Sequence, residues 1–224
     1  MHSFFEKVKG KLIVSCQALS DEPLHSAFIM GRMALAAKEG GAAAIRAQGV
    51  EDICEITKVT GLPVIGLIKQ NYEDSEIYIT PTMREVEALL GASCEMIALD
   101  MTSRVRPKGE KIETLVKRIH EAGRLVLADI STYDEGVKAV ELGADAVSTT
   151  LSGYTSYSPQ LKGPDYALAA RLAADVSVPV FGEGRIHTPE ELLRMMEMGV
   201  WGAIVGSAIT RPQLITKDFA SVLK

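Results

Sequence analysis

The sequence predicts an α/β chain folded as one (β/α)8 TIM barrel of the phosphate-binding type, with residues 1–224 forming a single domain. Three observations carry this expectation. A helical stretch, a small-residue turn and a short apolar run recur along the chain. Eight such runs can be counted, on average about 28 residues apart. The first turn after a strand, Cys16 to His25, reads CQALSDEPLH and lacks the glycines that a doubly wound nucleotide-binding sheet places there.

The repeat is visible at Ala36–Ala47, Leu89–Asp100, His120–Ser131 and Val140–Thr150, and again in the stretch ending at Ser207. Glycine after the last helical turn supplies a left-handed cap. The run behind it is apolar at consecutive positions, as a strand buried on both faces must be. The strands are expected at Leu12–Gln17, Ala42–Arg46, Val64–Lys69, Met96–Asp100, Leu125–Asp129, Ala146–Thr149, Val178–Gly182 and Gly202–Val205. Strands alternating with helices imply βαβ units and a parallel sheet. One helix has a full start signal. Thr188 is an N-cap, Pro189 takes the first helical position, and Glu190 and Glu191 fill the first turn. Leu192, Leu193 and Met196 are expected on its apolar face, with Met195, Met196 and Met198 as core filler.

A chain of 224 residues with 47% hydrophobic residues can bury a substantial core. The net charge is −5, and no basic run tracks a nucleic-acid backbone, so nucleic acid is not an expected partner. An anionic ligand is still compatible, because a few arginines in one pocket can hold phosphate whatever the total charge. The first twelve residues hold no signal-peptide core, and no run of apolar residues is long enough for a bilayer, so a cytoplasmic location without membrane contact is expected. Cys16, Cys54 and Cys94 are too scattered for a disulfide framework or a zinc site and are expected in packing positions. Barrels of this size often dimerise; a homodimer is possible, though no segment marks an interface.

The site of such a barrel lies at the C-terminal mouth, so the residues ending each strand are informative. They are Gln17, Arg46, Lys69, Asp100, Asp129, Thr149 or Thr150, Glu183, and Gly206 with Ser207. A charged residue directly after a doubly buried run is costly unless paired or functional. A solvated loop or a structural ring of ion pairs would account for any one of them. Arg46, Lys69, Asp129 and Glu183 at one mouth form a pocket. The last two strands run into Phe181-Gly-Glu-Gly-Arg185 and into Val205-Gly-Ser-Ala-Ile209, followed by Thr210-Arg211-Pro212. Glycine there lets backbone N–H groups approach phosphate oxygens, a short helix adds its positive end, Ser207 offers a hydroxyl, and Arg185 or Arg211 offers a guanidinium fork. Tight turns needing glycine for sterics alone are the competing reading. No histidine pair has metal-ligand spacing and no dinucleotide fingerprint occurs, so neither metal nor cofactor is expected; of His2, His25, His120 and His187, only His187 falls near the mouth, as a loop cap.

Taken together, Leu12–Ser26, Pro63–Gln70, Tyr78–Thr82, Ala98–Pro107, Ala128–Thr155, Gly182–Leu192 and Val205–Pro212 resemble the bacterial N-acetylmannosamine-6-phosphate 2-epimerases over almost the whole chain. Departures from that pattern fall at Met101, at Phe181 and near Gln48, none of them charged. The resemblance implies the same barrel, a sugar-phosphate substrate and a place in sialic-acid or amino-sugar catabolism. It further implies catalytic roles for Lys69 and Glu183, and substrate contacts from Gln17, Arg46 and Asp129, to which Thr150 is added from its strand-end position. The phosphate site is implied at Gly206, Ser207 and Arg211, with Gly184 and Arg185 added from the glycine-rich turn.

The expected reaction is inversion at C2 of the opened sugar, with Lys69 moving the C2 proton and Glu183 sharing the acid–base work or opening the ring. Desolvation would lower the lysine pKa toward that role, while Glu183 and Asp129 would raise it. The residues alone leave three alternatives open: a Schiff-base lyase using Lys69, a non-catalytic sugar-phosphate-binding barrel, and another phosphate-barrel isomerase.

Overall fold

The computed structural model describes residues 2–223. The chain runs α1 (Ser3–Val8), β1 (Leu12–Cys16), α2 (Ala27–Glu39), β2 (Ala44–Gln48), α3 (Val50–Thr60), β3 (Val64–Leu67), α4 (Met83–Leu90), β4 (Met96–Asp100) and α5 (Ile112–Glu121). It continues through β5 (Leu125–Asp129), α6 (Tyr133–Glu141), β6 (Ala146–Ser148), α7 (Tyr166–Asp175), β7 (Val180–Glu183), α8 (Pro189–Glu197), β8 (Gly202–Val205), α9 (Ser207–Thr210) and α10 (Pro212–Ser221). Each strand pairs in parallel with its sequence neighbour, and β8 returns to β1 to close an eight-stranded barrel.

All eight expected strands form; Met96–Asp100, Leu125–Asp129 and Gly202–Val205 keep the expected bounds, and the other five are shifted by one or two residues at one or both ends. The second and seventh begin two residues later than the apolar runs suggest. The Ala42 N–H is drawn back to Ala37 O and belongs to the end of the preceding helix. Pro179 has no N–H to give a ladder, so β7 starts at Val180. The late start of β2 places Arg46 at mid-strand, in register with Ser15 and Ile65, and not at the strand end.

Period-two alternation sorts every strand between two cores. Ile13, Ala44, Ile65, Leu67, Met96, Ala98, Leu127, Ala146, Phe181 and Ile204 fill the barrel interior. Val14, Ile45, Val64, Ile97, Val126, Val147 and Ala203 face outward against the helices. The same alternation carries Ser15, Arg46, Asp100, Asp129, Ser148 and Glu183 to the inside, one layer nearer the mouth than the apolar filling. At the opposite end α1 closes the barrel: Phe4, Phe5 and Val8 join the interior cluster, and Trp201 Nε1 donates to Phe5 O at 2.8 Å.

Three helices start with a reciprocal capping box: Thr82 with Glu85, Thr132 with Glu135, and Thr188 with Glu191. Each satisfies amide donors that the first helical turn leaves free. The apolar face of α8 differs from expectation. Met195 is its buried residue, with Leu192, Met196 and Met198 packed on the core, whereas Leu193 is 63% exposed. A stripe spaced i, i+3, i+4 from Leu192 excludes the adjacent Leu193. Cys16 and Cys94 are buried, and desolvation pushes their thiols up to about 12 and about 11. Cys54 is exposed on α3 and is not in the packing position expected of it. No helix among the described residues is long and apolar enough to cross a membrane.

Candidate active site

A cavity of about 260 Å³ opens at the C-terminal mouth of the barrel. Gln17, Arg46, Lys69, Thr150, Glu183, Gly184, Arg185, Gly206, Ser207 and Arg211 all line it, although they come from six separate stretches of chain. Asp129 does not: it is 0% exposed and backs the cavity from beneath Arg46 and Thr150. His187 also reaches the rim, its backbone N–H tied to Glu191 Oε2 at 2.7 Å.

Arg46 is the hub. Its Nη2 donates to Asp129 Oδ2 at 2.5 Å and its Nη1 to Glu183 Oε1 at 3.3 Å. Only 3% of the side chain is exposed. Burial disfavours the guanidinium charge, but Asp129, Glu183 and the Tyr78 phenol outweigh it, and the Arg46 pKa is raised. Two carboxylates thus share one buried cation. They also share one hydroxyl. Thr150 Oγ1 lies 2.6 Å from Asp129 Oδ1, 2.7 Å from Glu183 Oε2 and 2.8 Å from Ser148 Oγ. Burial, opposed by Arg46 and reinforced by Glu183, pushes Asp129 up to about 7. Glu183 is held from below as well, since Thr149 Oγ1 accepts its backbone N–H at 3.0 Å and donates to its carbonyl at 2.9 Å.

Lys69 follows β3 and pairs with Ile79 in an isolated antiparallel bridge. Its backbone N–H donates to Gln48 Oε1 at 3.3 Å. Desolvation, with Arg46 and Arg211 adding to it, lowers its pKa to about 8 against the pull of Glu183 and Glu22. The sequence left open which effect prevails; in the folded chain burial and the two arginines prevail. The same bridge delivers Tyr78 to the cavity wall, where burial and the charges of Asp129 and Asp100 push its phenol up to about 12.

The rim after β7 and β8 is built for close approach. Gly184 has φ +104°, a conformation that favours glycine. A Cβ on Gly206 would lie 3.3 Å from Ser15 Cβ, so this turn sits against β1, where Thr210 Oγ1 donates to Ser15 O at 2.7 Å. Arg211 Nη2 donates to Glu22 Oε2 at 3.0 Å, which anchors it to the loop after β1. Arg185 lines the cavity, but its guanidinium donates to Gly163 O at 2.8 Å and Ser152 O at 2.5 Å and so braces the long loop after β6. Gly182 does not serve the site. It faces outward, and a Cβ there would meet Met195 Cγ at 2.3 Å.

The strand-end reading did not reach Ser15 or Tyr78. Ser15 carries a faint signal, a polar residue two before Gln17 within an apolar run. Tyr78 carries none, because a single bridge leaves no periodic trace. Among the described residues, no group of three or more His, Cys, Asp or Glu side chains converges as a metal site.

Residues 30–224 match the family model NanE, described as N-acetylmannosamine-6-phosphate epimerase. A relative from Clostridioides difficile strain 630, named as an N-acetylmannosamine-6-phosphate 2-epimerase, is 64% identical over 219 residues, covering 98% of each chain. The solved structure of the N-acetylmannosamine-6-phosphate 2-epimerase from Clostridium perfringens superposes with a TM-score of 0.97 at 63% identity, over 99% of this chain and 96% of that one. A thiamine phosphate pyrophosphorylase from Pyrococcus furiosus, at 18% identity and TM-score 0.62 over 92% of this chain and 89% of its own, shares the fold.

Proposed function

The chain belongs to the N-acetylmannosamine-6-phosphate epimerase family, and from that premise we propose that it inverts C2 of N-acetylmannosamine 6-phosphate to give N-acetylglucosamine 6-phosphate. The observation that carries the mechanism is a lysine with its pKa lowered to about 8, held in one cavity with a carboxyl, a buried guanidinium and a glycine-lined rim.

The C2 proton becomes acidic only when C1 is an aldehyde, so the sugar reacts in its open form. Lys69, partly neutral near pH 8, removes the C2 proton and becomes an ammonium. The electrons move into the C1 carbonyl, and the oxygen takes hydrogen bonds or a proton from the Glu183 side, within the field of Arg46. Return of a proton to the other face of C2 gives the epimer. The process is redox-neutral, and the proton count closes within the site. The phosphate is placed at the rim by the backbone of Gly184, Gly206 and Ser207, with Arg211 as the guanidinium fork. Arg185 contributes by holding the rim and through its positive charge. Gln17 and Tyr78 are placed to contact sugar hydroxyls or the acetamido group. These roles suit a sugar phosphate as ligand and an enzyme of cytoplasmic amino-sugar catabolism.

Proton NMR of the protein with N-acetylmannosamine 6-phosphate in deuterated water tests this directly. N-acetylglucosamine 6-phosphate should accumulate with deuterium at C2, and Lys69→Ala should slow it at least about 10²-fold. Substrate returned unchanged and unlabelled would overturn the reading.

A further inference from the structure

The three oxygens around Thr150 Oγ1 pose a counting problem. The contacts to Asp129 Oδ1, Glu183 Oε2 and Ser148 Oγ are 2.6, 2.7 and 2.8 Å, each a hydrogen-bond length. Ser148 Oγ also lies 3.3 Å from Glu183 Oε2. Three short contacts need three protons, and the two hydroxyls supply two. If both carboxyls were ionised, one 2.6–2.7 Å contact would set lone pair against lone pair. Charge points the same way. Asp129 and Glu183 are both held by Arg46, so two carboxylates would leave a buried excess of one negative charge, while one proton makes the trio neutral.

We propose that Asp129 and Glu183 hold one proton between them through the Thr150 hydroxyl, making Thr150 and Asp129 the positioning residues of the acid that works opposite Lys69. This rests on the epimerase reading for its chemical use, though not for its existence. The relay balances. When the carboxyl proton of Asp129 passes to Thr150 Oγ1, the Thr150 proton passes to Glu183 Oε2, and no atom is gained or lost. Glu183 borders the cavity and Asp129 does not, so Glu183 is the delivering end. In the reaction the C2 proton goes to Lys69 Nζ and the dyad proton to the oxygen of the opened sugar's carbonyl. The new ammonium then stands against a doubly ionised pair, so the net charge of the protein groups is unchanged. The return step restores both. Asp129, pushed up to about 7 by its burial, is consistent with a proton retained near neutrality, a property of the pair as a unit. The charged or titratable groups facing the dyad are Arg46 from β2, Lys69 beyond β3, Tyr78 and Asp100 of β4.

Infrared difference spectroscopy of the free protein between pH 5 and 9 reads the proton without substrate. A protonated carboxyl C=O band is expected at pH 6 beside the contributions of Asp52 and Asp100, whose burial also raises them, and the share that belongs to the pair is lost on raising the pH and missing from Asp129→Asn and Glu183→Gln. Thr150→Val should move its loss to lower pH and reduce kcat about 10²-fold with KM changed only a few-fold. Thr150→Ser should keep both the band and turnover near wild type. A wild-type carboxyl band at pH 6 no larger than that of Asp129→Asn overturns the proposal, as does a Thr150→Val enzyme of wild-type kcat. The two readings fail separately: the band without epimerisation defeats only the proposed reaction, and epimerisation without the band defeats only the shared proton.

Discussion

Lys69 and the Asp129–Glu183 pair set the pH behaviour together. Turnover needs Lys69 neutral and the pair singly protonated. Lys69 titrates at about 8, so its neutral fraction falls as pH drops below that value. The pair loses its proton at about 7, so the acid form falls as pH rises above that value. The product of the two fractions is flat between about 7 and 8 and drops about tenfold per unit on either side. The plot of kcat/KM against pH should therefore be a narrow bell centred between those values. The ionisation of a sugar phosphate, near about 6, lies outside the plateau. A profile that climbs steadily to pH 10 would mean that the acid is not needed. One that falls steadily from pH 6 would mean that the amine is not the base.

At the scale of single elements, the structure separates residues that the sequence presents as one motif. Phe181-Gly-Glu-Gly-Arg185 reads as a continuous glycine-rich phosphate turn. In the fold, Phe181 fills the barrel, Gly182 packs outward on α8, Glu183 enters the site and Gly184 makes the rim turn. Alternation along β7 divides them, and a run of five residues is too short to show that division by composition. The expected strand ends were legible because a charge closing an apolar run is rare. The loop after β3, which carries Tyr78 on a single bridge, was not legible. Gly182→Ala tests the assignment of Gly182. Its Cβ would sit 2.3 Å from Met195 Cγ, which is 0% exposed and cannot swing into solvent. Overpacking of this kind costs about 1–3 kcal/mol, so thermal unfolding should shift down by several degrees. Substrate KM should barely change, whereas a phosphate-binding role would raise it strongly. Thermal melts beside steady-state kinetics distinguish the two.

Across the whole molecule the barrel divides stability from chemistry by height. The mouth concentrates buried charge: Arg46, Asp129 and Glu183 lie in a low-dielectric layer where loss of one partner strands the others. The opposite end is apolar and closed by α1, whose Phe4 and Phe5 rings meet edge to face at 5.7 Å beneath the interior cluster. Between them Ile13, Ile65, Met96, Leu127 and Ile204 form a packed plug with no titratable group. The plug separates α1 from a cavity built on the strand ends at the opposite face of the barrel. Phe4→Ala is therefore expected to cost about 3–5 kcal/mol of stability, since the ring is 1% exposed and its loss leaves a void at the barrel floor. The melting temperature should drop by roughly 10 °C for a chain of this length. At 25 °C, where the folded fraction persists, kcat and KM should stay within about twofold of wild type. A large fall in kcat in a variant still folded by circular dichroism would show that the floor and the mouth are coupled, and that the plug transmits strain to Lys69 and Arg46.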